Sequence, residues 1–134
     1  MLKNIKEQFY NLIKQLNYKV SDNGTYTEDF PWLILRLNNA SALNTFDLKF
    51  NVISLNLDIF SNYNGELEII DITENITNHL DELVKENPAL LYAYQKSLKI
   101  LDDKHTGPVR KHGIATYEFI MGQSQKEVPD DTDE

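Results

Sequence analysis

Hydrophobic residues near the start of the chain recur at intervals of three and four, which is the pattern of a helix with one apolar face. Polar residues fill the positions between them. The apolar positions are Leu2, Ile5, Phe9, Leu12, Ile13 and Leu16. We predict that this helix ends near Asn17, because asparagine tolerates the left-handed backbone that closes many helices. The same spacing in ELEIIDITENITNHLDELV, residues 66–84, predicts a second amphipathic helix, which KENPA ends.

Alternating and continuous apolar runs predict the strands that follow the first helix. Tyr18 and Val20 indicate a short extended piece, and WLILRL after Pro31 indicates a buried strand. We interpret NNASALNT, residues 38–45, as a polar loop that leads to a long strand, FDLKFNVISLNLDIF.

The apolar face of this long strand changes halfway along it. Its first half has apolar residues at Phe46, Leu48, Phe50 and Val52, and its second half at Ile53, Leu55, Leu57 and Ile59. A change of phase by one residue indicates either a bulge or a strand that serves two packing environments. A neighbouring subunit is one such second environment.

Two further strands are predicted near the end of the chain. LLYAYQKSLKILDD should place Tyr92, Tyr94, Leu98 and Ile100 on one face, and HGIATYEFIMG is the last strand. We interpret the charged segment between them as a hairpin turn. The element order is therefore α-β-β-β-α-β-β. It predicts an α+β fold, in which two amphipathic helices pack on one face of a mostly antiparallel sheet.

Composition indicates a single globular domain and narrows the function. The chain has 134 residues, of which 41% are hydrophobic and 25% charged, as in ordinary globular domains. The absence of cysteine excludes disulfides, thiolate zinc sites and a cysteine nucleophile. No apolar run is long enough to span a membrane, and the amphipathic start does not resemble a signal peptide.

The charge is negative and concentrated at the end of the chain. The formal net charge is -8, which disfavours binding to nucleic acid through its phosphates. The last twelve residues, QSQKEVPDDTDE, are acidic and contain one aliphatic residue, Val128. We therefore predict a domain over residues 1–122 and a flexible acidic tail over 123–134.

The candidate chemistry is sparse. The histidines His79, His105 and His112 have no metal-binding spacing. GPVRKHG lacks the phosphate-loop pattern and is not followed by a predicted helix. Adjacent carboxylates occur without a nucleophile. We predict that the chain is not an enzyme and binds no metal or cofactor.

Several segments, taken in order, resemble the tail terminator proteins of long-tailed bacteriophages, also described as tail-completion or tail-to-head joining proteins. They are the opening helix, DFPWLIL at 29–35, LDIFSNYNGELEIIDITENI at 57–76, and LDD followed by VRKHGIATYEF at 101–119. The resemblance extends over about residues 1–122.

The resemblance implies a virion protein that is assembled in the host cytoplasm. Six copies would form a ring at the head-proximal end of the tail tube, end tail elongation and join the tail to the head connector. The implied partners are further copies, the tail tube protein and a connector or stopper protein. DNA would pass through the lumen without specific binding, which suits an acidic protein.

Two segments are candidate contact regions for a neighbouring subunit or a partner ring. The first is the predicted loop 38–45, and the second is the basic segment 104–111, although both could equally be solvated loops. The candidate residues are Asn38, Asn39, Ser41, Leu43, Lys104, His105, Arg110 and Lys111. The alternative functions are another neck component, such as a connector stopper or adaptor, a monomeric acidic binding module, and a small enzyme without a recognised motif.

Overall fold

The computed structural model describes residues 2–22, 30–44, 49–103 and 108–122. The elements in chain order are α1 (Leu2–Gln15), β1 (Lys19–Ser21), β2 (Trp32–Asn44), β3 (Lys49–Ser61), α2 (Leu67–Asn78), α3 (Leu80–Glu86), β4 (Leu90–Asp102) and β5 (Lys111–Gly122). The predicted α+β class is confirmed, and so is the order α-β-β-β-α-β-β, in which α2 and α3 together occupy the place of the second helix.

The five strands form one sheet in the order β1-β2-β3-β5-β4. β1 runs parallel to β2, and every other neighbouring pair is antiparallel. β2 with β3 and β4 with β5 are consecutive in the chain, so each pair is a hairpin. The two hairpins meet where β3 pairs with β5, from Phe50 opposite Gly122 to Ser61 opposite Lys111.

The hydrophobic core lies between the helices and one face of the sheet, which we call the inner face. Phe9 of α1 is fully buried there, with its ring centroid 5.0 Å from that of Tyr117 and 5.1 Å from that of Phe119. The inner face of β3 supplies Ile53, Leu55, Leu57 and Ile59, all of which are buried. Among the described residues, no helix is long and apolar enough to cross a membrane.

Asn17 ends the first helix as its residue type predicted. Its φ is 71°, and its N–H donates to the carbonyl of Lys14 at 2.9 Å. Asparagine adopts this left-handed conformation at a lower cost than most residues, so the chain can turn directly into β1.

The second helix is interrupted at His79, whereas the sequence predicted one continuous helix. His79 has φ −105° and ψ 2°, and its N–H donates to the carbonyl of Ile76 at 3.0 Å. Its ring Nδ1 lies 2.7 Å from the carbonyl oxygen of Asn75. The break redirects the chain so that Leu80 and Leu83 of α3 remain buried in the core.

The predicted loop at 38–45 is wrong, because β2 continues to Asn44. Residues 39–44 pair with β3, and the register shifts between Leu37 and Asn39 so that Asn38 forms a bulge. Ladder hydrogen bonds to a long partner strand outweigh the low strand propensity of asparagine here.

The change of phase in β3 does not arise from a bulge in that strand, since its register with β5 is unbroken. Phe50 and Val52 instead point to the outer face, opposite the helices, and both are half-buried. The two halves of the strand therefore present their apolar residues on opposite faces, and a second packing environment for the outer residues stays a prediction. Phe46 and Leu48 lie outside the described residues.

The prediction that four apolar residues of β4 share one face is wrong. The register with β5 shifts between Leu90 and Tyr92 and again between Gln95 and Ser97. Tyr92 and Tyr94 consequently lie on the outer face, while Leu98 and Ile100 pack against the core. A bulge adds one residue and so reverses the faces of all the residues that follow it.

Candidate interaction surface

Three strands bring aromatic rings together at one end of the outer face. Trp32 of β2 pairs with Phe60 of β3, which in turn pairs with His112 of β5. The Trp32 and Phe60 centroids are 4.1 Å apart, and those of Phe60 and His112 are 4.4 Å apart, with an interplanar angle of 16° in both cases. The rings form one continuous stack across the sheet.

A buried carboxylate lies beside this stack. Asp58, whose side chain is 8% exposed, accepts hydrogen bonds from Arg36 Nε at 2.5 Å and from Arg36 Nη2 at 3.0 Å. The Nε2 atom of His112 is 3.4 Å from Asp58 Oδ1, which is an ion-pair distance but a long hydrogen bond. We call Trp32, Arg36, Asp58, Phe60 and His112 the outer cluster.

Asp58 is held in its charged form. Burial alone would raise its pKa, but the interactions with the nearby His112 ring and with the Arg36 guanidinium outweigh that effect, and the pKa lies below its usual value. The hydrogen bond to Asp58 correspondingly raises the pKa of Arg36. A carboxylate with a lowered pKa and a bidentate arginine partner is a poor proton acceptor, so Asp58 fits a role that links three strands better than one in acid–base chemistry.

The lowered pKa of Asp58 predicts a specific response to acid. Its stabilising contribution is present above the unfolded-state pKa of about 3.9 and is lost as the pH falls through the lower folded-state pKa. We expect Asp58→Asn to reduce the free energy of unfolding by about 1–2 kcal/mol at pH 5, because the charged hydrogen bonds to Arg36 are lost. Partial exposure of Arg36 to water keeps the loss from being larger. Urea unfolding of both proteins from pH 5 to pH 2 should show this difference shrinking. A difference that stays constant over that range would contradict the assignment.

The middle of the outer face consists of polar groups paired across strands. Glu118 of β5 accepts hydrogen bonds from the Tyr94 hydroxyl and, at 3.2 Å, from Lys96 Nζ. The bond from Tyr94 contributes most to lowering the pKa of Glu118. Thr116 donates to Asn56 at 2.8 Å. The charges on this part of the face are thus largely neutralised in place.

The other end of the outer face is apolar. Phe50, Val52 and Ile120 lie there half-buried. Beside them on the edge strand β4, Leu91 is 52% exposed and Tyr92 is 57% exposed. Exposed apolar groups that cluster in this way are typical of surfaces that contact another protein.

The candidate residues of the first segment lie on β2 near this apolar end. Asn38, Asn39 and Ser41 are exposed, and Asn38 Nδ2 donates to Ser54 Oγ at 3.1 Å. The backbone of Leu43 belongs to β2, while its side chain lies outside the described residues.

The two described candidate residues of the second segment, Arg110 and Lys111, lie at the opposite end of the sheet. Arg110 is exposed, and its N–H donates to the carbonyl of Ser61 at 2.7 Å. Lys111 opens β5 and forms an ion pair with Asp102, directly across the β4–β5 hairpin. Lys104 and His105 lie outside the described residues. The described residues of the two candidate segments therefore do not meet in one subunit.

Sequence reasoning did not identify the outer cluster. The sequence presents His112 only as one of three histidines and as part of GPVRKHG, and no pattern marks the other four members as site residues. One signal was available, because Arg36 and Asp58 are opposite charges inside two otherwise apolar runs, WLILRL and LDIF. Charged residues within buried strands are usually paired.

The described residues contain no group of three histidine or carboxylate side chains placed to hold a metal ion.

Comparison with known proteins adds no assignment, because no protein-family model and no curated protein sequence matches the chain.

Proposed function

We propose that the chain is a subunit of a ring that caps the head-proximal end of a phage tail tube. The ring would end tail elongation and then join the tail to the head connector. Its partners are further copies of the chain, the tail tube protein and a connector protein, and DNA passes through its lumen.

One observation carries the proposal beyond the sequence resemblance. The segments that carry the resemblance lie far apart in the chain, yet three of them meet at the outer cluster. DFPWLIL supplies Trp32, LDIFSNYNG supplies Asp58 and Phe60, and VRKHGIATYEF supplies His112. Adjacent placement of the resembling segments in one set of contacts supports the proposal, because a shared fold would keep such segments together.

A second property favours a channel wall over a nucleic-acid-binding site. The chain carries a net charge of -8, and the basic groups described on the outer face mostly have acidic partners, such as Lys96 with Glu118 and Arg36 with Asp58. Surfaces of this kind repel phosphates weakly and do not hold them, so DNA can slide past.

Deletion of the gene in the phage that encodes it tests the function. Electron microscopy of the lysate should show tails of uncontrolled length without heads, and a plasmid copy of the wild-type gene should restore tails of normal length. Tails of normal length that fail to join heads would instead indicate another neck component. Normal virions would rule out both functions and favour a monomeric acidic binding module.

A further inference from the structure

The two edges of the sheet differ in how they are protected. β1 covers only Trp32, Leu33 and Ile34 of β2, so the rest of β2 has no strand partner on that side among the described residues. From residue 37 to 44 this edge reads LNNASALN, without a charge or a proline. Proteins normally place charged residues or prolines on exposed edge strands, because unpaired N–H and C=O groups can otherwise pair with another strand.

The other edge is β4, which pairs with β5 on one side and has no second strand partner among the described residues. Six large hydrophobic side chains are exposed in the described part of the chain, and four of them lie on the two edge strands. They are Leu37 of β2 and Leu91, Tyr92 and Leu101 of β4. Both edges therefore combine unpaired backbone with uncovered apolar surface.

We propose that β2 of one copy pairs with β4 of the next copy, so that a continuous sheet passes from subunit to subunit. This inference rests on the proposed function, since it names the contact that closes the ring. The binding partner in this contact is a second copy of the same chain.

The directions of the edge strands favour this pairing. Successive neighbours from β2 through β3 and β5 to β4 are antiparallel, so β2 and β4 run in opposite directions. Rotation about an axis along the strands preserves direction and places β4 of one copy antiparallel to β2 of the next. The contact is head-to-tail, which is the type that generates rings.

The strand registers also predict which residues meet. We consider a closed ring in which the strands run along the axis and the copies are not displaced along it. In such a ring, residues of β2 and of the neighbouring copy's β4 that are at the same level of the sheet face each other. Ala40 is opposite Ile53, which is opposite Phe119, which is opposite Ala93. Ala40 of one copy should therefore face Ala93 of the next. By the same registers, Ser41 should face the exposed ring of Tyr92.

The shapes of the two edges agree at this level. The bulge of β2 lies at Asn38, between Leu37 and Asn39. Across the sheet, Leu37 is at the level of Gln95 and Asn39 is at the level of Tyr94. The nearby bulge of β4 lies at Lys96, between Gln95 and Ser97. A bulge bends and twists its strand, so both edges change direction at nearly the same height.

Cysteine cross-linking tests the pairing, and the natural absence of cysteine makes the result unambiguous. The full chain carrying Ala40→Cys and Ala93→Cys should give a ladder of dimers, trimers and higher species under mild oxidation. We expect at least about tenfold more cross-linked product than from either single variant, since pairing raises the local thiol concentration. Disulfides form only when the Cα atoms approach to about 4.4–6.8 Å.

Matched variants separate the alternatives. Asn11→Cys with Ala93→Cys places one thiol on the exposed side of α1 and should give no ladder. Ala42→Cys with Ala93→Cys tests a shift of register along the same two strands, and a ladder from it would support the pairing. Dimers from Ala40→Cys alone would indicate two-fold pairing of β2 and overturn the proposal, as would the absence of a ladder from both double variants.

The cross-linking and phage experiments can fail separately, so their outcomes can be told apart. A ladder combined with normal virions after gene deletion would retain the strand pairing and remove the tail function. Overlong tails combined with no ladder would retain the tail function and remove the β2–β4 contact.

Discussion

Phe9→Ala is expected to lower the free energy of unfolding by about 3–5 kcal/mol, which is the usual cost of truncating a fully buried phenylalanine. Phe9 is completely buried, and its ring packs against both Tyr117 and Phe119 of the interior strand β5. Truncation removes these aromatic contacts and leaves a cavity between α1 and the sheet. Equilibrium urea unfolding monitored by circular dichroism measures the change.

Tyr63→Ala provides the control for Phe9, because Tyr63 is also aromatic but 53% exposed. Its truncation should change the free energy of unfolding by no more than about 0.5 kcal/mol. Equal losses from the two variants would show that α1 is not anchored by Phe9 as described.

Gly113→Ala is expected to destabilise the protein by about 1–3 kcal/mol through overpacking. A Cβ atom at Gly113 would lie 2.6 Å from Cγ2 of Ile69, a fully buried residue of α2. Glycine therefore allows β5 to approach α2 closely, immediately after the histidine of the outer cluster. Thermal and urea unfolding should both report the loss.

Gly122→Ala, at the other end of the same strand, is the matched control for Gly113. A Cβ atom there would approach Leu91 Cδ1 at 3.1 Å, but Leu91 is exposed and its side chain can move. Its effect should be small. Adding Ile69→Ala to Gly113→Ala should cost less than the sum of the two single changes, because the clash is relieved. Additive losses would show that the strain arises elsewhere.

The helices and the core strands could be predicted because their apolar residues recur with a fixed period. Phe9 and Ile13 follow the helical period, and Leu55 and Leu57 follow the alternation of a half-buried strand. The extent of β2 could not be predicted, since Asn38 and Asn39 favour turns locally and are held in the strand by pairing with β3. The prediction of which β4 residues share a face was wrong for a related reason, because a bulge has no reliable sequence signal.

The outer cluster depends on register, and register is a property of several strands together. Trp32, Phe60 and His112 stand on three strands that are far apart in the chain, and a slip of one residue would place any of them on the inner face. Sequence patterns indicated that these strands exist but did not align them. The tail function stays a prediction, which gene deletion tests directly.

The division of the sheet into two hairpins has a consequence for how the protein folds. The β2–β3 and β4–β5 hairpins close over short stretches of chain, whereas the central β3–β5 pairing joins residues separated by α2, α3 and β4. Contacts between residues distant in sequence carry a larger entropic cost of loop closure. Docking of one preformed hairpin on the other is therefore expected to limit the folding rate. Substitutions at the β3–β5 seam should slow folding more than equally destabilising substitutions at β1.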